Sequence, residues 1–293
     1  MGRDILMNTK SPSSVLFVSD LDGTLLAPGA ILTPGSVDML NRAIGAGAMF
    51  SIATARTPAT VSSLLAPVHT RLPFVVMTGA TLWNPADRRY SFTRFMPEPQ
   101  VWQVIQIYRR LGFSSFIYTL RDGRLHIYHI GPLSPQERMF MAERANSPFK
   151  TFHVPDSGES QLPEKLDNVM LFYGIRETEI SSVAHQEVKR TVHCSPLCYH
   201  DFYGPEIAVA EVFAADATKA RGIETLARIC GARKTVVFGD NINDLPMFRH
   251  ADLAVAVENA VPEVKEAAHM VIGPNSADAV ARFILEHTIS NLG

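Results

Sequence analysis

Short apolar runs that end in small or polar residues, separated by helix-length stretches, constrain this chain more than any other feature. They are Val15–Val18 in "VLFVSDLDGTLLAPG", "MFSIAT" (49–54), "PFVVMT" (73–78), "KTVVFG" (234–239), "DLAVAV" (252–257) and "HMVI" (269–272). A strand apolar on both faces belongs inside a sheet covered on both sides. The stretches between them read as helices. "SVDMLNRAIGAGA" places Val37, Leu40 and Ile44 at helical spacing, and "PATVSSLLAPV", "ATKARGIETLARICG", "NDLPMFRHA", "AVPEVKEAA" and "SADAVARFILEHT" follow the same rhythm. Strands alternating with helices imply parallel βαβ units with right-handed crossovers. Both ends of the chain therefore predict one doubly wound α/β domain.

The middle differs. "SSFIYTL" and "RLHIYHI" flank "RDG", and an Asp-Gly turn between two strands marks a β-hairpin. Helical stretches near 97–111, 134–146 and 176–190 alternate with strand candidates at "NVMLFYG" and "EIAVAEVF". The expected organisation is a core made of residues 1–80 and 213–293, interrupted by an α+β insertion over 81–212.

Composition narrows the class. The chain has 293 residues, 46% hydrophobic and 19% charged, within the range of a globular protein. A formal net charge of −2 gives no basic field for nucleic acid or an anionic membrane, so neither is expected as a partner. Three cysteines suit a reducing compartment better than a disulfide scaffold. The opening "MGRDILMNTKSPSS" has no apolar segment of signal-peptide type and reads as a polar leader, and no transmembrane run is present. The expected location is cytoplasmic.

In open parallel sheets, ligands bind beyond the carboxyl ends of the strands. Asp20 and Asp22 follow the first strand, Thr54 the second, Lys219 opens a helix, and Asp240 and Asp244 follow "VVFG". Clustered carboxylates repel one another and resist burial without a counter-charge. Hard oxygen ligands select Mg²⁺.

"DLDGTLL", "SIATAR", "TKARG" and "GDNINDLPM" resemble, in order, the four motifs of the haloacid dehalogenase superfamily. The insertion between the second and third resembles the large cap of its Cof-type phosphatases. The resemblance implies a Rossmann-like core and a phosphatase acting through an aspartyl phosphate. It implies Asp20 as nucleophile and Asp22 as general acid/base. It implies Mg²⁺ on the Asp20 carboxylate, the Asp22 backbone carbonyl and Asp240, with Asp244 supporting the metal's water shell. Thr54 and Lys219 would bind phosphoryl oxygens, Asn243 would add a donor, and Gly23 would let the backbone approach the phosphate. The substrate implied is a small phosphorylated metabolite such as a sugar phosphate. A sugar phosphomutase, or a metal- and phosphate-binding regulatory module without turnover, are the alternatives; the intact Asp22 argues against the last. The cap carries no readable motif for the substrate.

Three positions depart from the family pattern. Ala55 replaces a glycine of the second motif, Thr78 an asparagine after the third strand, and Ala220 a glycine after the motif lysine, with Gly222 two residues on. Other readings of single motifs fail. An EF-hand would need its glycine at the sixth position, and Gly23 is at the fourth. "IGAGAMF" is not a complete dinucleotide fingerprint. "HCSPLCYH" offers His193, Cys194, Cys198 and His200 but lacks zinc spacing and a second half-site, so buried cysteines are expected there.

Overall fold

The computed structural model describes residues 15–200 and 203–290. The polar leader expected over 1–14 lies outside the described residues. The chain divides into two compact units: the described parts of Met1–Ile52, Ala66–Leu72 and Glu224–Gly293 form one, and Ala53–Leu65 with Pro73–Ile223 form the other.

The first unit is built on a five-stranded sheet, every neighbouring pair of which is parallel. Its order is Met270–Ile272, Leu253–Val257, Lys234–Gly239, Val15–Ser19, Met49–Ile52. From Val15–Ser19 the chain winds outward in both directions, so the doubly wound expectation holds. The reversal of winding lies between Val15–Ser19 and Lys234–Gly239, where sheets of this kind open a crevice at their carboxyl ends. Leu16, Val18, Phe238, Val255 and Val257 are all but inaccessible to solvent, and each such side chain contributes about 1.5–3 kcal/mol.

Helix Pro34–Gly45 illustrates how local sequence sets an element. Thr33 caps it by accepting from the Ser36 backbone N–H at 2.9 Å, and Pro34 takes the first helical position, where no N–H is needed. Its buried face is Ser36, Leu40 and Ala43, rotated from the expected Val37–Leu40–Ile44 stripe. Small residues on that face allow close packing on the terminal helix Ala279–Ser290.

The second unit carries a six-stranded sheet in the order Cys194–His200, Ile207–Ala214, Val169–Glu177, Ser115–Arg121, Arg124–Ile130, Lys150–Phe152. All its pairs are antiparallel except the last, which is parallel. The hairpin expected at "RDG" is present, with Asp122 and Gly123 both at positive φ as a two-residue primed turn requires. Neighbouring side chains on a strand point to opposite faces. Phe172 meets Tyr108 of helix Glu98–Leu111, while Tyr173 stacks on Phe140 of helix Pro135–Arg144, so helices cover both faces.

Two elements differ from expectation. The run 73–78 does not extend the parallel sheet. Phe74–Val76 instead begins a three-stranded antiparallel sheet with Thr81–Asn84 and Arg89–Ser91, keeping a single parallel bridge, Val75 to Ala53. Cys194–His200 is a strand at the sheet edge, where Pro196 is tolerated. Extended backbone separates Cys194 from Cys198 by roughly 13 Å, too far for one tetrahedral site. Among the described residues no helix is long and apolar enough to cross a membrane.

Candidate active site

In the first unit, strands Val15–Ser19 and Lys234–Gly239 run side by side in register, Ser19 opposite Phe238. The residues that follow them, Asp20 and Asp240, are therefore delivered to the same sheet edge. The Asp20 N–H donates to the Phe238 carbonyl at 2.9 Å, which extends the ladder by one step and fixes where its carboxylate begins. After Asp240 the chain turns through Ile242–Asp244, and Asp244 Oδ2 accepts from the backbone N–H of Asp240 at 3.0 Å and of Asn241 at 3.2 Å. Asp20, Asp240 and Asp244 each bring a carboxylate oxygen within 4.8 Å of the others. Asp244 is fully buried, and Asp20 is 7% exposed.

Three carboxylates this close need a counter-charge. An all-oxygen donor set suits a hard divalent cation, and this trio could hold one. The Asp22 side chain is exposed and not part of the trio. That separation is compatible with a backbone contact to an ion and a side chain directed elsewhere. Asn243 is also exposed.

The turn carrying Asp22 is tightly held. Gly23 has φ +79°, and a β-carbon there would overlap the Asp240 carboxylate, so glycine is needed for space as well as for conformation. Thr24, buried, donates its hydroxyl to Asp240 Oδ1 at 2.7 Å. Asn259 Nδ2 donates to the Gly23 carbonyl at 2.7 Å. Asn259 Oδ1 accepts from the Asn275 N–H at 2.9 Å, and Asn275 Nδ2 donates to the Leu26 carbonyl at 2.7 Å. Sequence reasoning passed over Thr24, Asn259 and Asn275. The two asparagines follow Leu253–Val257 and Met270–Ile272, so the rule that flagged the aspartates would have flagged them too.

Thr54 and Lys219 belong to the second unit. Thr54 is 1% exposed; its N–H donates to Val75 O at 2.9 Å, its carbonyl accepts from Thr78 N at 3.0 Å, and its hydroxyl oxygen accepts from Arg56 N at 3.1 Å. Lys219, also 1% exposed, is the first residue of helix Lys219–Cys230. Met77, Thr78 and Gly79 all have positive φ, and a β-carbon on Gly79 would overlap the Thr218 carbonyl. A β-carbon on Gly222 would overlap the Val75 side chain and crowd the Gly79 α-carbon, which gives a reason for glycine at 222. The loop Met77–Gly79 thus packs directly under the start of the Lys219 helix. The Thr78 hydroxyl is buried without a hydrogen-bond partner.

The family model described as haloacid dehalogenase-like hydrolase matches residues 17–284. A 5-amino-6-(5-phospho-D-ribitylamino)uracil phosphatase of Bacillus subtilis (strain 168) is 25% identical over 275 residues, covering 93% of this chain and 97% of that protein. A pyridoxal phosphate phosphatase of Escherichia coli (strain K12) is 24% identical over 289 residues, covering 92% and 97%. Among solved structures, a haloacid dehalogenase-like hydrolase from Bacteroides thetaiotaomicron superposes with a TM-score of 0.73 at 19% identity, covering 94% of this chain and 100% of the other. With the family match spanning nearly the whole chain, the protein is an enzyme that belongs to the haloacid dehalogenase-like hydrolases.

Proposed function

We propose that this enzyme is a Mg²⁺-dependent phosphatase that hydrolyses a phosphomonoester of a small metabolite, such as a sugar phosphate, through an aspartyl phosphate on Asp20. The single observation that carries the reading is the burial of Asp20 beside Asp240 and Asp244 at the reversal point of the parallel sheet. The names of the two curated relatives, both phosphatases of small phosphorylated compounds, support the substrate class.

The residues act as follows. A carboxylate oxygen of Asp20 attacks phosphorus and forms a P–O bond, while the bond to the departing alcohol oxygen breaks. The Asp22 carboxyl gives its proton to that oxygen. A water then attacks the phosphorus of the acyl phosphate, passing its proton back to Asp22, and the bond to Asp20 breaks to release inorganic phosphate. Thr54 donates a hydrogen bond and Lys219 presents a positive charge to the phosphoryl oxygens, where the transition state spreads its charge. Asn243 and the backbone at Gly23 complete the contacts. Mg²⁺ held by Asp20, the Asp22 carbonyl and Asp240, with Asp244 in support, would supply positive charge between nucleophile and phosphoryl group. The α+β segment 81–212 serves as a cap that selects the organic group. Three free cysteines, Cys194, Cys198 and Cys230, support a reducing, cytoplasmic setting.

The test is release of inorganic phosphate across sugar phosphates, nucleotides, phospholipid headgroups and pyridoxal phosphate, with Mg²⁺ and with chelator. Release that survives exhaustive chelation refutes the metal dependence. Isomerised phosphate ester without free phosphate would identify a mutase.

A further inference from the structure

Arg94 lies between strand Arg89–Ser91 and helix Glu98–Leu111 of the second unit, and its side chain is 15% exposed. Its backbone N–H donates to the Ala80 carbonyl at 2.8 Å, which ties residue 94 to the end of the loop Met77–Gly79. From there the guanidinium forks. Nη1 donates to the Gly79 carbonyl and Nη2 to the Arg221 carbonyl, both at 3.2 Å. Nε lies 3.4 Å from Asp216 Oδ2; that carboxylate is largely exposed, so the ion pair orients the group and adds little energy. The two carbonyls belong to different segments, one at the end of the loop and one in the first turn of helix Lys219–Cys230.

The loop needs such a hold. Met77 and Thr78 have φ of 51° and 56°, a left-handed backbone that is costly for L-residues and most so for a β-branched one. The Thr78 hydroxyl, buried without a hydrogen-bond partner, adds a second cost at the same residue. Backbone in this state persists only where its surroundings over-determine it. The Thr78 N–H donates to the Thr54 carbonyl at 3.0 Å, and Gly79 lies against the Thr218 carbonyl and the Lys219 nitrogen. The loop is therefore the spacer between Thr54 and Lys219, and the Arg94 fork fixes it to the helix start. A lysine could not replace that fork. Its ammonium is a point donor on a flexible stem, whereas the planar guanidinium presents its two Nη groups in a fixed geometry.

We propose that Arg94 is a positioning residue for phosphoryl transfer: by bridging the Gly79 and Arg221 carbonyls it holds Thr54 and Lys219 at the spacing in which both meet the phosphoryl oxygens. This rests on the phosphatase reading of those two residues. Arg94 acts through the loop and the helix start and does not touch the substrate.

Arg94→Ala tests it, assayed with ethylguanidinium, which restores the missing atoms, and with propylammonium, which restores only charge and length. Misplacement of binding groups by ~1 Å predicts a fall in kcat of roughly 10- to 100-fold. Ethylguanidinium should recover most of that loss and propylammonium should not, a selectivity that a general loss of stability would not produce. A folded Arg94→Ala protein with unchanged kcat, or one rescued equally by both cations, overturns the proposal. Should Arg94→Ala not fold, Arg94→Lys keeps the charge and the stem but loses the fork, and the same fall in kcat is expected of it; wild-type kcat in Arg94→Lys overturns the proposal. Hydrogen exchange reads the hold without turnover. The Thr78 amide bonds to Thr54 and the Ala80 amide to the Met77 carbonyl at 2.9 Å. Both should exchange about tenfold faster or more in the variant, with strand Ser115–Arg121 unchanged. Unchanged exchange at both amides overturns the proposal. Failure of the wild type to release phosphate from any ester, with these amides loosened in the variant, would count against the phosphatase reading and leave the hold of Arg94 on the loop supported.

Discussion

Asn259 donates its side-chain N–H to the Gly23 carbonyl at 2.7 Å, tying the turn after the first strand to the loop after the fourth strand of the parallel sheet. The turn holds Asp22 between Asp20 and Gly23, so this one bond helps fix the peptide planes next to two proposed catalytic groups.

Asn259→Ala removes that bond together with the one its Oδ1 accepts from the Asn275 N–H. Asn259 is exposed, so water can replace it at both partners, and the stability cost is about 0.5–1.5 kcal/mol per bond or less. The positional cost is larger, because a displacement of ~1 Å near reacting atoms can cost ~10²-fold in rate. The expected outcome is a fall in kcat of roughly 10- to 100-fold with little change in Tm. Steady-state kinetics beside a thermal melt decide it. An unchanged kcat would make the bond incidental.

Asp244→Asn keeps one amide oxygen as acceptor for the Asp240 and Asn241 N–H groups but removes a charge from the carboxylate trio. Groups that support a metal's ligands are typically worth ~10–100-fold in affinity. The Mg²⁺ concentration for half-maximal activity should rise by about that factor. A titration that superposes on the wild type would remove Asp244 from any metal role.

Asp22→Asn separates acid/base from metal binding. Its side chain is exposed and outside the trio, and the amide keeps the backbone carbonyl. Loss of a general acid costs on the order of 10²–10⁴ in rate. Sugar phosphates, with poor leaving groups, should slow severely and an aryl phosphate less, while Mg²⁺ affinity stays within a few-fold. Loss of metal binding, or equal slowing of the first step for both substrates, would make Asp22 a ligand.

A pH effect is expected in the unit that carries the six-stranded sheet. Glu137, fully buried, is opposed by desolvation, yet its carboxylate is held below its ordinary range by the His129 imidazole and by bonds from Ser134 N and Ser114 Oγ, both at 2.8 Å. His129 Nε2 lies 3.4 Å from the carboxylate, and its Nδ1 faces the Gly131 and Gly158 carbonyls. A depressed folded pKa contributes stability that is present above the unfolded value, near 4.5, and is lost as pH falls through the folded one. Glu137→Gln should lower stability at neutral pH by about 1–3 kcal/mol and flatten its dependence within that window. Urea melts at a series of acidic pH values measure both; a wild type no more acid-sensitive than the variant would contradict this.

The site was legible where chemistry and strand ends coincide. Asp20 and Asp240 follow apolar runs, and parallel neighbours deliver their following residues to one edge. Asn259 and Asn275 follow such runs as well, but their partners are backbone carbonyls, which no side-chain pattern announces. Phe74–Val76 was legible as a strand but not in its pairing, because a short apolar run serves either kind of sheet. Its antiparallel partner, Thr81–Asn84, is set by the turn at Met77–Gly79, whose left-handed backbone includes two non-glycine residues. Cys194–His200 pairs along one side only and has little apolar pattern to read.

The most direct test is to locate the phosphorylated residue. Wild-type enzyme is quenched during turnover, treated with borohydride, which reduces an aspartyl phosphate to homoserine, and digested for mass spectrometry. The expected result is homoserine at position 20 in substrate-treated enzyme and in neither untreated enzyme nor Asp20→Asn. Homoserine at another aspartate, or phosphate on a different residue while Asp20→Asn still turns over, would contradict Asp20 as the nucleophile.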